Sequence, residues 1–436
     1  MGKPPGRVPP PSKRAPAADS GLDAHCRRVA AVAAEIARRL RLPDDTQKTV
    51  EQAARLHHYP LSLLEGVPLD RLMADLMGGP GWQRFRSRVG LRDLVADVKA
   101  VLKALSARLG SGAKDRIGVM AGIVEAASLF TEALEYLPYE YQTVDQILNE
   151  LRALSAEGAL LEDVVRGLAS LPRAPREDLL DAVYRLPVFP GVALRALEPA
   201  AEERLGLAHL FEIASSDTGL ASALLRVANS GLYSPPRTIA SVRQAIEYIG
   251  VKAARKVLMA SVLRPFFAPV KITEMWRHSL RMAQFVERLA VISGRADPKE
   301  AFLAGLVHDA GRLAMDKMTG EVSHVRARML EKRCEPVFVE KLLCRFDHGE
   351  LGADILHRWN FPQSICEAVQ FHHEPERTSS DFAALIYLGE YWSASEEDLP
   401  SASRLRRAMD RTRITAELMQ SADSRNGLLD SLIHAA

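Results

Sequence analysis

The chain has 436 residues, a formal charge of +2 from 57 basic and 55 acidic side chains, and four cysteines. Apolar residues make up 47% and charged residues 26%, ordinary for a globular protein, and the length suffices for two or three domains with real cores. So weak a net field gives no reason to expect a nucleic-acid or anionic-membrane partner, and Cys26, Cys334, Cys344 and Cys366, none in a CxxC pair, argue against a disulfide framework or a zinc–thiolate site.

Residues 1–19 are basic and rich in proline, predicting a disordered tail that lacks the apolar core of a signal peptide. Helical periodicity then begins. Val29, Val32, Ala33, Ile36 and Leu40 share one helix face until Pro43, and a second helix runs from Asp44-Asp45 to His57-His58. The stretch 66–90 is glycine-rich and irregular. Leu91, Leu94, Val95, Val98, Val101, Leu102, Leu105 and Leu109 mark a long amphipathic helix closed by Gly110. Helical patterning continues over 116–171, and the prolines of 171–176 predict an interdomain linker, placed at 173–182.

Further on, 217–229, 241–249, 252–263 and 274–293 read as helices, with Ser241 as an N-cap and Gly250 as a stop. No sustained period-2 alternation occurs, so the fold class expected is all-α. The apolar stretch 257–270 is broken by Arg264, Pro265 and Pro269 and is too short to span a bilayer, so a cytoplasmic location is expected.

Histidines gather with carboxylates late in the chain: His278, His308-Asp309, His348 beside Asp347 and Glu350, His372-His373, and Glu390. Neutral imidazoles and ionised carboxylates converging from several helices would hold manganese, iron or zinc, and two such ions would lower the pKa of a bridging water. Taken singly, each of these residues reads more simply as a half-buried or helix-terminal polar group. Arg243, Lys252, Arg255 and Lys256, the basis of a DNA-binding reading, are more simply a solvated face.

The order of motifs is more specific than any one of them. Leu186-Pro-Val-Phe-Pro190, Asp217, Leu224-Leu-Arg-Val-Ala-Asn-Ser230, Ser241-Val-Arg-Gln-Ala-Ile-Glu-Tyr-Ile-Gly250 and Ala301-Phe-Leu-Ala-Gly-Leu-Val-His-Asp-Ala-Gly-Arg312 resemble an HDOD module, the signalling relative of the HD phosphohydrolases. The resemblance continues through Asp347-His348, Trp359-Asn-Phe-Pro362 and His372-His-Glu-Pro375. It implies a domain over 183–395, divided into a helical part (183–270) and an HD-like part (271–395), followed by a helical extension over 396–436. It also implies the ligand set His278, His308, Asp309, His348, His372, His373 and Glu390. Two departures stand out. The family's last carboxylate is Asp where this chain has Glu390, and Arg312 stands where many hydrolytic members have Lys. An Arg is a fixed cation that binds ligand but does not donate a proton, and the Gly-Tyr-Pro signature of cyclic-dinucleotide phosphodiesterases is missing.

Residues 20–172 resemble a degenerate HD-GYP-like domain. His25 opens its first helix, His57-His58 stands where His-Asp is expected, and Ala127-Ser-Leu-Phe130 with Leu137-Pro-Tyr139 resembles the late segment, Ser128 replacing its aspartate. Without those carboxylates the set is under-charged, and no stoichiometric metal is expected there. The resemblance as a whole implies a signalling protein that acts by binding partner proteins or a nucleotide second messenger such as a cyclic dinucleotide. The alternative is a metal-dependent phosphohydrolase with Asp309 and Arg312 in its catalytic machinery.

Overall fold

In a computed structural model of the chain, the described residues are 20–58, 91–106, 115–136, 144–156, 161–186, 203–264, 273–394 and 402–422. The expected tail, the irregular 66–90 stretch, Gly110, Leu137-Pro138-Tyr139, residues 187–190 of the first motif and the ends of the C-terminal extension lie outside them. Among the described residues there is no strand, and the fold is all-α. They fall into two compact units, one holding 20–175 and 319–345, the other 176–318, 346–394 and 402–422.

The first unit begins with α1 (Ser20–Arg39), α2 (Asp44–Leu56), α3 (Leu91–Ser106), α4 (Arg116–Tyr136), α5 (Val144–Ala156) and α6 (Glu162–Ala169). Val29, Val32, Ala33 and Ile36 are fully buried on α1, as the periodicity requires, against α2 and α4. Within the helical stretch expected over 116–171, α4 is a long apolar element. Residues Arg116–Leu134 are long and apolar enough to cross a membrane by length and composition, and 56% of the window is buried inside the unit. Met120, Ile123, Ala127 and Phe130 place it in the core.

The second unit opens with α7 (Arg176–Arg185), α8 (Glu203–Ser215), α9 (Thr218–Ala228), α10 (Val242–Ile249), α11 (Val251–Leu263), α12 (Thr273–Ser293), α13 (Pro298–Val307) and α14 (Arg312–Met315). The linker expected over 173–182 is helical from Arg176, because Glu177 and Asp178 favour the first turn and Leu179 and Val183 are buried. Asp217 caps α9 and Ser241 caps α10 through side-chain bonds to backbone N–H groups. Asn229 pins the loop between them, accepting from Ile239 N at 2.8 Å and donating to Ile239 O at 2.9 Å.

The chain then returns to the first unit with α15 (Gly320–Glu331) and α16 (Pro336–Cys344). Charge pairs hold them there. Arg328 grips the buried Glu35 with two bonds of 2.8 Å, Arg28 meets Glu335 at 2.6 Å and Lys332 meets Glu51 at 2.6 Å. The second unit resumes with α17 (His348–Arg358), α18 (Gln363–Gln370), α19 (Asp381–Ser393), α20 (Ala402–Thr412) and α21 (Ala416–Ala422).

Two corrections follow for the basic residues read as a solvated face. Arg255 is buried, and Lys256 is half-buried, 2.6 Å from Glu287 and over the Phe302 ring. Their aliphatic stems fill the unit's core margin while the charges find partners, which a one-sided charge count cannot register.

Candidate metal centre

The centre is assembled from five helices of the second unit. His278 lies on α12 and Glu390 on α19, which packs against it. His308 ends α13 and Asp309 follows it, in a tight turn to Arg312 at the start of α14. His348 is the first residue of α17. Its position is set by a capping box, in which Asp347 accepts from Glu350 N at 3.0 Å and Glu350 accepts from Asp347 N at 3.1 Å. Asp347 is thereby a structural cap. His372 and His373 occupy the turn after α18.

Two glycines allow the close approach. A Cβ on Gly311 would stand 1.9 Å from His348 O, so only glycine lets the His308-Asp309 turn reach α17. A Cβ on Gly305 would lie 2.9 Å from Ala283 Cα and from Met282 O, where α13 crosses α12.

The expected ligands converge as two trios around one carboxylate. His278, His308 and Glu390 form the first, and His348, His372 and His373 the second, each with its ligand atoms within 4.8 Å of one another. Glu390 Oε1 lies 3.0 Å from His278 Nε2 and 2.8 Å from His308 Nε2, so its longer arm reaches both imidazoles. His373 Nε2 lies 2.8 Å from His348 Nε2. Asp309 faces both trios. Its Oδ1 is 3.1 Å from His348 Nε2, and its Oδ2 is 3.5 Å from His308 Nε2 and 3.9 Å from His278 Nε2. Arg312 Nε lies 3.0 Å from the same Oδ1.

Backbone orients two of the histidines. Nδ1 of His308 donates to Gly305 O at 2.9 Å, with its Nε2 turned to Glu390, and Nδ1 of His372 donates to Val369 O at 2.6 Å, leaving Nε2 of His372 as a lone pair aimed inward. Nε2 of His372 is buried without an aligned hydrogen bond among the described residues, whereas Asp309 is met by the charges of Arg312 and His348. Buried polar atoms left so are costly unless a cation meets them.

Protonation fits the same picture. Burial opposes ionisation of Asp309, but Arg312, His308 and His348 overcome it and hold its carboxyl well below the usual range. Glu390 is likewise held well below its ordinary value against burial, by the hydrogen bonds from His278 and His308. Burial, reinforced by His348 and His308, pushes His372 down to about 3, and burial with His372 and His348 lowers His373 well below its usual value. Burial also works against charge on His308, yet Asp309 and Glu390 raise its pKa. Ionised Asp309 and Glu390 beside His372 and His373, both held toward the neutral form, make a donor set for divalent metal. Most of it is buried, and solvent reaches it past His278, Glu390 and Arg312.

The first unit brings its own histidines together. His25, His57 and His58 each offer a ring nitrogen within 4.8 Å of the others. Nδ1 of His57 donates to Ala54 O at 2.6 Å, and its Nε2 lies 3.2 Å from Ser128 Oγ, which in turn donates to Glu132 at 3.0 Å. Glu132 also lines a cavity of about 430 Å³ between α4 and α5. His25, His57, His58 and Ser128 stand in the sequence as a set short of both expected carboxylates, while Glu132 is brought beside Ser128 by its place one turn later on α4.

A curated relative from Treponema pallidum (strain Nichols), an uncharacterised protein, is 22% identical over 217 residues. The match takes in 48% of this chain and only 41% of the relative, so the chain spans about two-fifths of that protein's length. Among solved structures, an HDOD domain protein of unknown function from Geobacter sulfurreducens aligns with a TM-score of 0.49 and 21% identity over 60% of this chain and 97% of its own. Family comparison matches residues 186–375 to the HDOD domain. With its ordered motifs carried on an all-helical second unit, the segment 186–375 is an HDOD domain.

Proposed function

We propose that this is a cytoplasmic signal-transduction protein whose HDOD domain holds divalent metal, binds a phosphate-bearing messenger or a signalling partner, and does not turn the ligand over. The degenerate HD-GYP-like first unit modulates that domain. The metal donors are His278, His308, Asp309, His348, His372, His373 and Glu390, and manganese, iron or zinc suits their mixture of imidazole and carboxylate. Metal bound there supplies Lewis acidity toward phosphoryl oxygen.

The observation that carries the non-catalytic reading is Arg312, 3.0 Å from Asp309 Oδ1. A hydrolase needs a proton donor for the leaving oxygen, and a guanidinium keeps its protons near neutral pH. What it does well is bind phosphate in a fork while neutralising Asp309. The test is calorimetric titration of inorganic phosphate into the manganese-loaded full chain. Saturable binding that Arg312→Ala weakens about tenfold supports the reading, on the scale of one lost charge-assisted contact. Binding indifferent to Arg312→Ala removes its basis.

The second reading, a metal-dependent phosphohydrolase, is favoured by Asp309. Its two oxygens face one trio each, the disposition of a carboxylate shared by a two-metal clamp.

A further inference from the structure

We propose that His25, His57 and His58 of the first unit form a mononuclear site for a nitrogen-preferring transition-metal ion, zinc(II) first among them, separate from the centre of the HDOD domain. The expectation from the lost carboxylates was the reverse, since His58 stands where a His-Asp pair would place its charge. The geometry turns that loss into a different donor set.

Convergence is the first support. One nitrogen from each ring lies within 4.8 Å of the others. Three nitrogens on one zinc, each at about 2.0–2.1 Å, sit roughly 3.4 Å apart in a tetrahedral arrangement, within side-chain rotation of this spacing. The rings also crowd, with centroids 4.0 Å apart for His57 and His58, 5.1 Å for His25 and His58, and 5.5 Å for His25 and His57.

Orientation is the second. His57 is held by Nδ1–H donation to the carbonyl three residues earlier, Ala54 O. The same bond, to Gly305 and Val369, orients His308 and His372 in the HDOD centre. An outer-shell acceptor of this kind fixes the tautomer and turns the other nitrogen's lone pair toward a metal.

Proton count is the third. With Nδ1 carrying the proton, Nε2 of His57 presents a lone pair 3.2 Å from Ser128 Oγ, while that hydroxyl lies 3.0 Å from Glu132 Oε1. Ser128 has one proton and two acceptors. Given to Glu132, it leaves the His57 nitrogen to a cation. His58 is exposed, so a water can complete the coordination from solvent. Three imidazoles with no carboxylate among them suit zinc, nickel or copper and disfavour manganese, the opposite bias from the Asp309–Glu390 centre.

The test uses the full chain carrying His308→Ala and Asp309→Ala, which disables the HDOD centre. The protein is stripped with chelator, loaded with zinc, dialysed and subjected to elemental analysis, with cobalt(II) loading read by visible absorption. About one zinc per chain is expected. Adding His58→Ala, an exposed position whose change leaves the helical circular dichroism intact, should weaken zinc by more than the roughly 10–100-fold that loss of an outer-shell partner costs. His58→Asp should keep the zinc and newly admit manganese. Absence of retained zinc in the starting variant, or zinc unmoved by His58→Ala, overturns the proposal. If the starting variant fails to fold, the wild-type chain against His58→Ala gives the same answer as a difference of one zinc equivalent.

Discussion

Gly311 is where the HDOD centre is most sensitive to a single atom. A methyl there meets the His348 carbonyl at 1.9 Å, backbone against backbone, with no flexible side chain to yield. Gly311→Ala is therefore expected to destabilise the fold by about 3 kcal/mol, the upper range for overpacking, and to cost metal affinity by moving Asp309 away from His348. Chemical denaturation and metal titration check the two effects together. At Glu35 the effect is electrostatic. Burial alone would raise its pKa, but the bonds from Arg328 and the charge of Arg38 lower it below 4.5. A carboxylate with a depressed folded pKa contributes stability above its unfolded pKa and loses it as pH falls through the folded value. The advantage of wild type over Glu35→Gln should thus be full at neutral pH and fade below about pH 4.5, as urea midpoints at each pH would show. Arg328→Ala should cost roughly 2 kcal/mol at neutral pH, less than for a fully buried pair because the guanidinium is partly solvated. The ligand residues were legible in the sequence because motif order singled them out. The Glu35–Arg328 pair was not, since it depends on helices brought together from distant parts of the chain, and the convergence of His25, His57 and His58, though their positions were legible, ran against the expectation from the missing carboxylates.

Among elements, α17 shows how local sequence rules place a functional group. Asp347 and Glu350 form a reciprocal cap around the first turn, and His348 sits at its first position. Asp347→Ala should cost about 1 kcal/mol, the usual worth of an N-cap, and loosen the second trio, so that thermal melting and metal affinity fall together. Helices with clean periodicity and caps, such as α1, α9 and α10, could be read directly from the sequence. The helix α7 could not, because the prolines just before it look like a linker until the burial of Leu179 and Val183 is known. Nor could the place of α15 and α16. They lie inside the matched HDOD segment yet pack in the first unit, held by ion pairs that leave no periodic trace.

For the molecule as a whole, the function proposed above is signalling by a metal-holding HDOD domain without hydrolysis. Metal bound only by the folded chain stabilises it by mass action, about 2.7 kcal/mol at a hundredfold excess over Kd. The melting temperature should accordingly rise with added manganese in the wild type and stay flat in the His308→Ala, Asp309→Ala variant, as scanning calorimetry would show. The most direct test of the central claim is turnover. The full chain, loaded with manganese or iron and verified to contain it, is incubated with a cyclic dinucleotide and with a simple phosphodiester, beside the same double variant. The expected result is bound metal with no hydrolysis above the variant. Metal-dependent hydrolysis that the double change abolishes would contradict it and make the protein a phosphohydrolase.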